Sequence, residues 1–367
     1  MLVLEGCSAL NHEVLLSVSN LTKHFEAKQG LKATLLRKRI IIKAVDGVTF
    51  SVRKTEIFGV AGESGCGKTT LGRTIMRLTE PTNGTITYSG KDITRLDENA
   101  IRALRSKIQI VFQDPYESIN PRMPVFEIVA EGLRINKRVL KVIDEDDLLQ
   151  RVKRALELVQ LNPAEQFMQR YPHELSGGQR QRVAIARALT LGPEFIVADE
   201  PVSMLDASIR AEVLNVMMDL RDKLGITFLF ITHDLALSKH VADTLCIMYL
   251  GKFVELAESE ELVTKPLHPY TQALIAAIPI PDPDGRKVQV LVGGEVANAA
   301  NIPPGCRFHP RCPYAKELCK DQEPELKEVE NGHYVACHFY QEAYEAFKTV
   351  RWKPNATPVQ EDLALHT

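Results

Sequence analysis

The run GESGCGKTT, residues 62–70, follows a short apolar stretch (TEIFGVA) and opens a helical pattern. This is the setting a phosphate-binding loop requires. Gly62, Gly65 and Gly67 let backbone N–H groups turn inward around an anion, and the helix that follows directs its positive end at the same place. Ser64 and Cys66 complete the loop. Lys68 is placed to reach β and γ phosphates, Thr69 to hold Mg2+ through its hydroxyl, and Thr70 lies beside it. A second apolar stretch, EFIVADEP, ends in Asp199 and Glu200. Beside a phosphate loop, the first carboxylate serves the Mg2+ shell and the second orients or deprotonates an attacking water. Binding of ATP or GTP is predicted.

Between these motifs lies LSGGQRQRVAIARAL, residues 175–189. Ser176, Gly177 and Gly178 at a helix start make another anion-binding N-terminus, with Gln179 behind them. A nucleotide held at Lys68 already has its phosphates cradled, so this second site needs a phosphate from elsewhere. Here the chain resembles the ATP-binding subunits of ABC transporters, whose signature motif closes on ATP held by a partner subunit. The resemblance runs over roughly residues 14 to 257. Gln113 in VFQDP resembles the Q-loop glutamine that contacts Mg2+ or water, Asp206 in SMLD the D-loop, and His233 in ITHD the switch histidine that senses the γ-phosphate. Phe25 matches the aromatic that stacks on adenine. Met204 stands where the family usually has alanine.

Apolar, β-branched runs alternate with longer helical patterns to about residue 257, the texture of an α/β domain with a largely parallel sheet. Together with the resemblance this implies a P-loop NTPase (ABC ATPase) core over residues 1–264, carrying a helical subdomain at about 97–187. Residues 265–367 read as a small cysteine-containing extension, Pro-rich around one short helix, YTQALIAAI. Lys plus Arg (45) nearly balance Asp plus Glu (47), so no whole-chain field draws it to nucleic acid, and no nucleic-acid partner is expected. The basic segment with Lys28, Lys32, Arg37, Lys38, Arg39 and Lys43 lacks interleaved aromatics and reads as a solvated loop. An acid without a basic residue near the N-terminus argues against a signal peptide, and no apolar window is long enough to span a bilayer.

Four of the seven cysteines, Cys306, Cys312, Cys319 and Cys337, fall near the end with spacing C-x5-C-x6-C-x17-C. That fits neither the paired C-x2-C of zinc ribbons nor the tight run of bacterial ferredoxins, and it leaves metal binding and plain burial both open. The flanking KPLHPYTQALIAAIP and GCRFHPRCPYAKELC resemble the C-terminal extension of the oligopeptide/dipeptide importer branch. The resemblance implies a [4Fe-4S] cluster on these cysteines. Zn2+ is the alternative, with His309, His333 and His338 as spare ligands. It also implies ATP hydrolysis driving peptide import, a dimer with a second ATPase subunit (sibling or self), two transmembrane permeases and an extracytoplasmic substrate-binding protein. The expected location is peripheral, on the cytoplasmic face of the inner membrane. Oligosaccharides or nickel are alternative cargoes. A soluble ABC ATPase of translation or DNA repair is the rival class, disfavoured by a single cassette and about 110 residues between Lys68 and the signature, without sustained heptads.

Overall fold

The computed structural model describes residues 13–27, 40–137, 140, 144–278 and 299–349. Among them run twelve strands: β1 (Val14–Ala27), β2 (Ile40–Arg53), β3 (Ile57–Ala61), β4 (Asn83–Tyr88), β5 (Lys91–Asp92), β6 (Ile108–Val111), β7 (Phe195–Asp199), β8 (Thr227–Thr232), β9 (Thr244–Tyr249), β10 (Lys252–Glu258), β11 (Lys327–Glu330) and β12 (His333–Val335). A four-stranded antiparallel sheet has the order β2-β1-β4-β5, and an eight-stranded sheet the order β11-β12-β10-β9-β3-β8-β7-β6. In the larger sheet, β9, β3, β8, β7 and β6 are parallel. Every residue of β3, β7 and β8 is buried, as continuous apolar runs in a sheet covered on both faces must be.

The parallel register aligns the strand ends that matter. Ala61 lies opposite Thr232, Asp199 opposite Ile231, and Ala198 opposite Val111. Hence the loops that follow β3, β6, β7 and β8 leave the sheet at one carboxyl edge, where ligands of open α/β sheets bind. Between β6 and β7 stand the helices Val125–Ile135, Glu145–Leu158 and Gly177–Leu189. The first buries Val125, Ile128, Val129 and Leu133, a helical stripe. Asp144 caps the second by accepting from Asp147 N–H, with Glu145, Asp146 and Asp147 in its first turn to match the helix dipole.

The C-terminal extension holds more structure than its sequence announces. Besides the helix Pro269–Ala276 it contains β11, β12 and the helices Glu317–Asp321 and Tyr340–Thr349. The segments KEVE and HYV are too short and too charged to read as strands, but β12 pairs antiparallel with β10 and so extends the large sheet. One core cluster joins Ala61 at the end of β3 to Tyr249, Tyr270 and Phe308. Their rings lie 4.6–5.4 Å apart, each pair contributing about 0.5–1.5 kcal/mol beyond area burial. Of the basic segment only Lys43 lies within the described residues, 3.5 Å from Asp46 Oδ2; Lys28, Lys32, Arg37, Lys38 and Arg39 lie outside them, as does Cys7. Among the described residues no helix is long and apolar enough to cross a membrane.

β12 is latched by a buried ion pair. Glu255 on β10 accepts from the N–H groups of Leu267 (2.6 Å) and His268 (3.0 Å), and lies 2.8 Å from His333 Nε2. His333 Nδ1 is 3.2 Å from Glu261. Burial opposes charging the His333 ring, yet the carboxylates of Glu255 and Glu261 outweigh it and hold its pKa above the ordinary value. The latch therefore stabilises fully below the unfolded pKa, about 6.5, and weakens as pH rises through the folded one. Limited proteolysis within residues 299–349 is expected to quicken as pH rises from 6.5 towards 9. His333→Gln should make it fast at every pH, since an unpaired buried Glu255 costs about 3–5 kcal/mol. A pH-independent cleavage rate in the unaltered chain would refute this.

Candidate functional site

The loop 62–70 joins β3 to the helix Lys68–Ile75. Gly67 sits just before that helix with φ +114°, and a Cβ there would lie 2.0 Å from Ala44 O, so only glycine lets the loop close on β2. Lys68 is buried and folds back to donate to Gly62 O (2.8 Å) and Glu63 O (3.0 Å). Thr69 Oγ1 donates to Asp199 Oδ1 at 3.0 Å, which brings the loop and the end of β7 together. Burial pushes the Asp199 carboxyl above its ordinary value, and the Glu200 charge adds to this against the Thr69 hydroxyl. Ser64 and Gly65 are exposed on the loop, and Thr70 lies in the first turn of the helix. Cys66 is buried inside the loop, and burial pushes its thiol pKa up, as it does for the fully buried Cys246.

Glu200 is the convergence point. Gln113 Nε2 donates to its Oε2 at 2.9 Å, and His233 Nδ1 stands 3.0 Å from the same oxygen. Its φ of +48° lies in the left-handed region, a strain of about 1–3 kcal/mol. Three bonds hold it there: Glu200 N–H donates to Ile231 O, and its carbonyl accepts from Ser203 N–H and Oγ. Three loops thus aim one carboxylate, one amide and one imidazole at a single point.

Ser176 and Gln179 form a reciprocal capping box at the start of the helix Gly177–Leu189 (Ser176 N–H to Gln179 Oε1 3.0 Å, Gln179 N–H to Ser176 Oγ 3.3 Å). A Cβ on Gly178 would lie 2.3 Å from Ile209 Cγ2, so this glycine is needed for close packing against the helix Ala207–Leu224. Among the described residues, no hydrogen bond or ion pair joins this helix start to Lys68, Thr69, Asp199 or Glu200, and Ser176 is exposed. Asp206 precedes the helix Ala207–Leu224 without capping it, Met204 is exposed, and half-exposed Phe25 carries Lys23 Nζ 4.8 Å above its ring.

The four cysteines of the extension do meet. Cys306, Cys312, Cys319 and Cys337 line one small, largely apolar cavity with Phe308, Phe339, His309 and His338. Burial first, and the neighbouring sulfurs second, push Cys312 up to about 11 and Cys337 up to about 12; Cys306 is raised as well. His333 is not among the lining residues, both its nitrogens being engaged by Glu255 and Glu261. Among the described residues, no group of three or more His, Cys, Asp or Glu is disposed to hold a metal ion.

The sequence pattern of the ABC transporter family matches residues 45–203, and that of the oligopeptide/dipeptide transporter C-terminal region matches residues 254–319. AppF of Bacillus subtilis strain 168, an oligopeptide transport ATP-binding protein, is 47% identical over 336 residues, covering 91% of this chain and 99% of AppF. The chain belongs to the ABC transporter ATP-binding proteins. YkfD of the same bacterium, also named for oligopeptide transport ATP binding, is 50% identical over 337 residues, covering 90% of this chain and 96% of its own length. Among solved structures, the dimeric ATP-binding cassette MJ0796 with ADP and Pi is 26% identical, with a TM-score of 0.57, over 67% of this chain and 99% of that chain.

Sequence reasoning missed the residues that hold the loop 62–70 from outside. Glu63 N–H donates to Tyr270 Oη at 2.8 Å, Glu63 carboxylate pairs with Arg311, and Arg307 pairs with Asp46. Burial would raise the Asp46 carboxyl, but Arg307 and His24 outweigh it and hold it down at about 2. Their only trace in sequence is a pair of arginines between Cys306 and Cys312. Loop shape yields a direct test: Gly67→Ala should weaken ATP binding at least about tenfold, whereas Gly65→Ala, with open space at its Cβ, should cost about 1 kcal/mol for its φ of +80° alone. Equal affinities of the two variants in equilibrium binding would refute it.

Proposed function

We propose that this chain is the ATP-hydrolysing subunit of an ABC importer that powers uptake of di- and oligopeptides. The observation carrying this reading is the match to AppF along nine-tenths of the chain, the cysteine-bearing extension included. In the division we propose, residues 1–264 form the nucleotide-binding domain, with its helical subdomain at about 97–187, and residues 265–367 the transporter-type extension.

Gly62 to Thr70 cradle the ATP phosphates, with Lys68 exchanging its contacts to Gly62 and Glu63 carbonyls for β and γ oxygens. Phe25 offers a face for adenine. The Thr69 hydroxyl and Asp199 carboxylate, hydrogen-bonded at 3.0 Å, are hard oxygen donors that suit Mg2+, with Gln113 completing the set. Bound there, Mg2+ neutralises charge on the β and γ oxygens. Glu200 orients the attacking water and accepts its proton, while Gln113 and His233 hold the carboxylate and His233 senses the γ-phosphate. Ser176, Gly177, Gly178 and Gln179, with Asp206, act on ATP held by a second ATPase subunit, sibling or self, and their outward-facing capping box supports this. Two permeases and an extracytoplasmic binding protein complete the machine, which places this chain at the cytoplasmic face of the inner membrane.

Cys306, Cys312, Cys319 and Cys337 are proposed ligands of a [4Fe-4S] cluster. Four thiols lining one cavity, that of Cys319 buried and the other three half-buried, supply the donor set, and bound iron would hold them as thiolates. Zn2+ on the same cysteines, with His309 and His338 beside them in the cavity, is the alternative.

Glu200→Gln is expected to bind ATP near normally and lose hydrolysis by at least about a hundredfold, while Lys68→Ala weakens binding itself. Near-normal turnover by the Glu200 variant would overturn its assigned role. Purified without oxygen, the chain should be brown with about four iron and four sulfide per chain. Replacing two of the four cysteines with serine should bleach it. Colourless unaltered protein would sink the cluster, and one zinc per chain would establish the alternative.

A further inference from the structure

Glu63 is the only acidic residue in the loop 62–70, a loop otherwise built to receive a polyanion. Left free, its carboxylate would repel the phosphates it adjoins. It is not free. Arg311 reaches from the segment between Cys306 and Cys312 and grips it with both fork nitrogens, Nη1 to Oε2 at 2.8 Å and Nη2 to Oε1 at 2.9 Å. The pair is largely buried, with side-chain exposures of 10% and 28%, so solvent screens it less than a surface pair.

The backbone of the same residue is held as well, its carbonyl accepting from Cys66 N–H at 3.3 Å among other bonds. Its N–H donates to the Tyr270 hydroxyl, which is buried, and its carbonyl accepts from Lys68 Nζ at 3.0 Å. The arginine is in turn fixed, its guanidinium lying 5.7 Å from the Phe308 ring centre and 5.9 Å from that of Tyr249. Arg307, four residues earlier, anchors the segment to Asp46 and to the carbonyl of Leu250. Two further bonds tie this region to the loop: Asp46 N–H donates to Gly251 O, and Gly251 N–H donates to Cys66 O.

We propose that Arg311 is a positioning residue of the nucleotide site: it neutralises Glu63 and draws it aside, so that ATP affinity is set in part by the cysteine-bearing extension. The extension thereby completes the phosphate loop from outside the nucleotide-binding core. This rests on the reading that the loop 62–70 binds ATP.

The test is equilibrium binding of Mg-ATP to the full chain in four forms: unaltered, Arg311→Ala, Arg311→Lys, and Arg311→Ala combined with Glu63→Gln. Arg311→Ala should weaken binding about tenfold. Arg311→Lys should fall between, because a single ammonium restores charge without the bidentate grip. The double variant should return to within about threefold of the unaltered chain, because with the carboxylate gone there is nothing left to neutralise. That recovery would not follow if Arg311 served only to fold the extension, and thermal melting of all four forms reads folding separately. Unchanged affinity in Arg311→Ala, or a double variant as weak as the single one, would overturn the proposal. An unaltered chain that fails to bind ATP would overturn instead the reading of the loop on which it rests.

Discussion

A loop of backbone N–H groups can hold a polyanion only while the chain is bent tightly enough for those groups to point inward, and the contacts around residues 62–70 hold a bend of that kind. Gly67 presses against the carbonyl of Ala44 where no Cβ fits. Cys66 O is held by Gly251 N–H and Glu63 N–H by the Tyr270 hydroxyl. Neighbouring strands and the extension thus dictate the loop's shape, and Lys68 occupies the place left inside it.

The chemistry beside the loop depends on parallel register. Because β3, β7 and β8 run side by side with Ala61 opposite Thr232 and Asp199 opposite Ile231, residues far apart in the chain arrive at one edge. Glu200 follows β7, Gln113 follows β6 and His233 follows β8, and their side chains meet within 3.0 Å. The left-handed φ of Glu200 turns its carboxylate to that meeting point, and bonds to Ile231 and Ser203 offset the strain.

The extension is both a cysteine site and a brace. β12 lengthens the large sheet through β10, the Glu255–His333–Glu261 latch secures it, and Tyr270 and Phe308 share a core cluster with the end of β3. Proximity of Cys306, Cys312, Cys319 and Cys337 is therefore supported by packing against the nucleotide-binding core, even though the segments between them are short, polar and rich in proline.

The sequence by itself determined the glycine-rich turn between strand and helix at residues 62–70, the Asp199–Glu200 pair at the end of an apolar run, the helix start at Ser176 and the α/β alternation. These are local: a glycine pattern between strand and helix, an apolar run ending in carboxylates, a capping box read within four residues. It also singled out the four cysteines, by their density. Tertiary structure alone decided which distant groups touch. Gln113 and His233 gain meaning only when sheet order brings them to Glu200, and Arg311 only when the extension folds onto Glu63. His333, a candidate ligand by type, is instead taken by two carboxylates. β11 and β12 carry no apolar alternation of their own because an edge pair borrows its stability from β10. Such contacts depend on long-range pairing, and no local pattern of residue types records it.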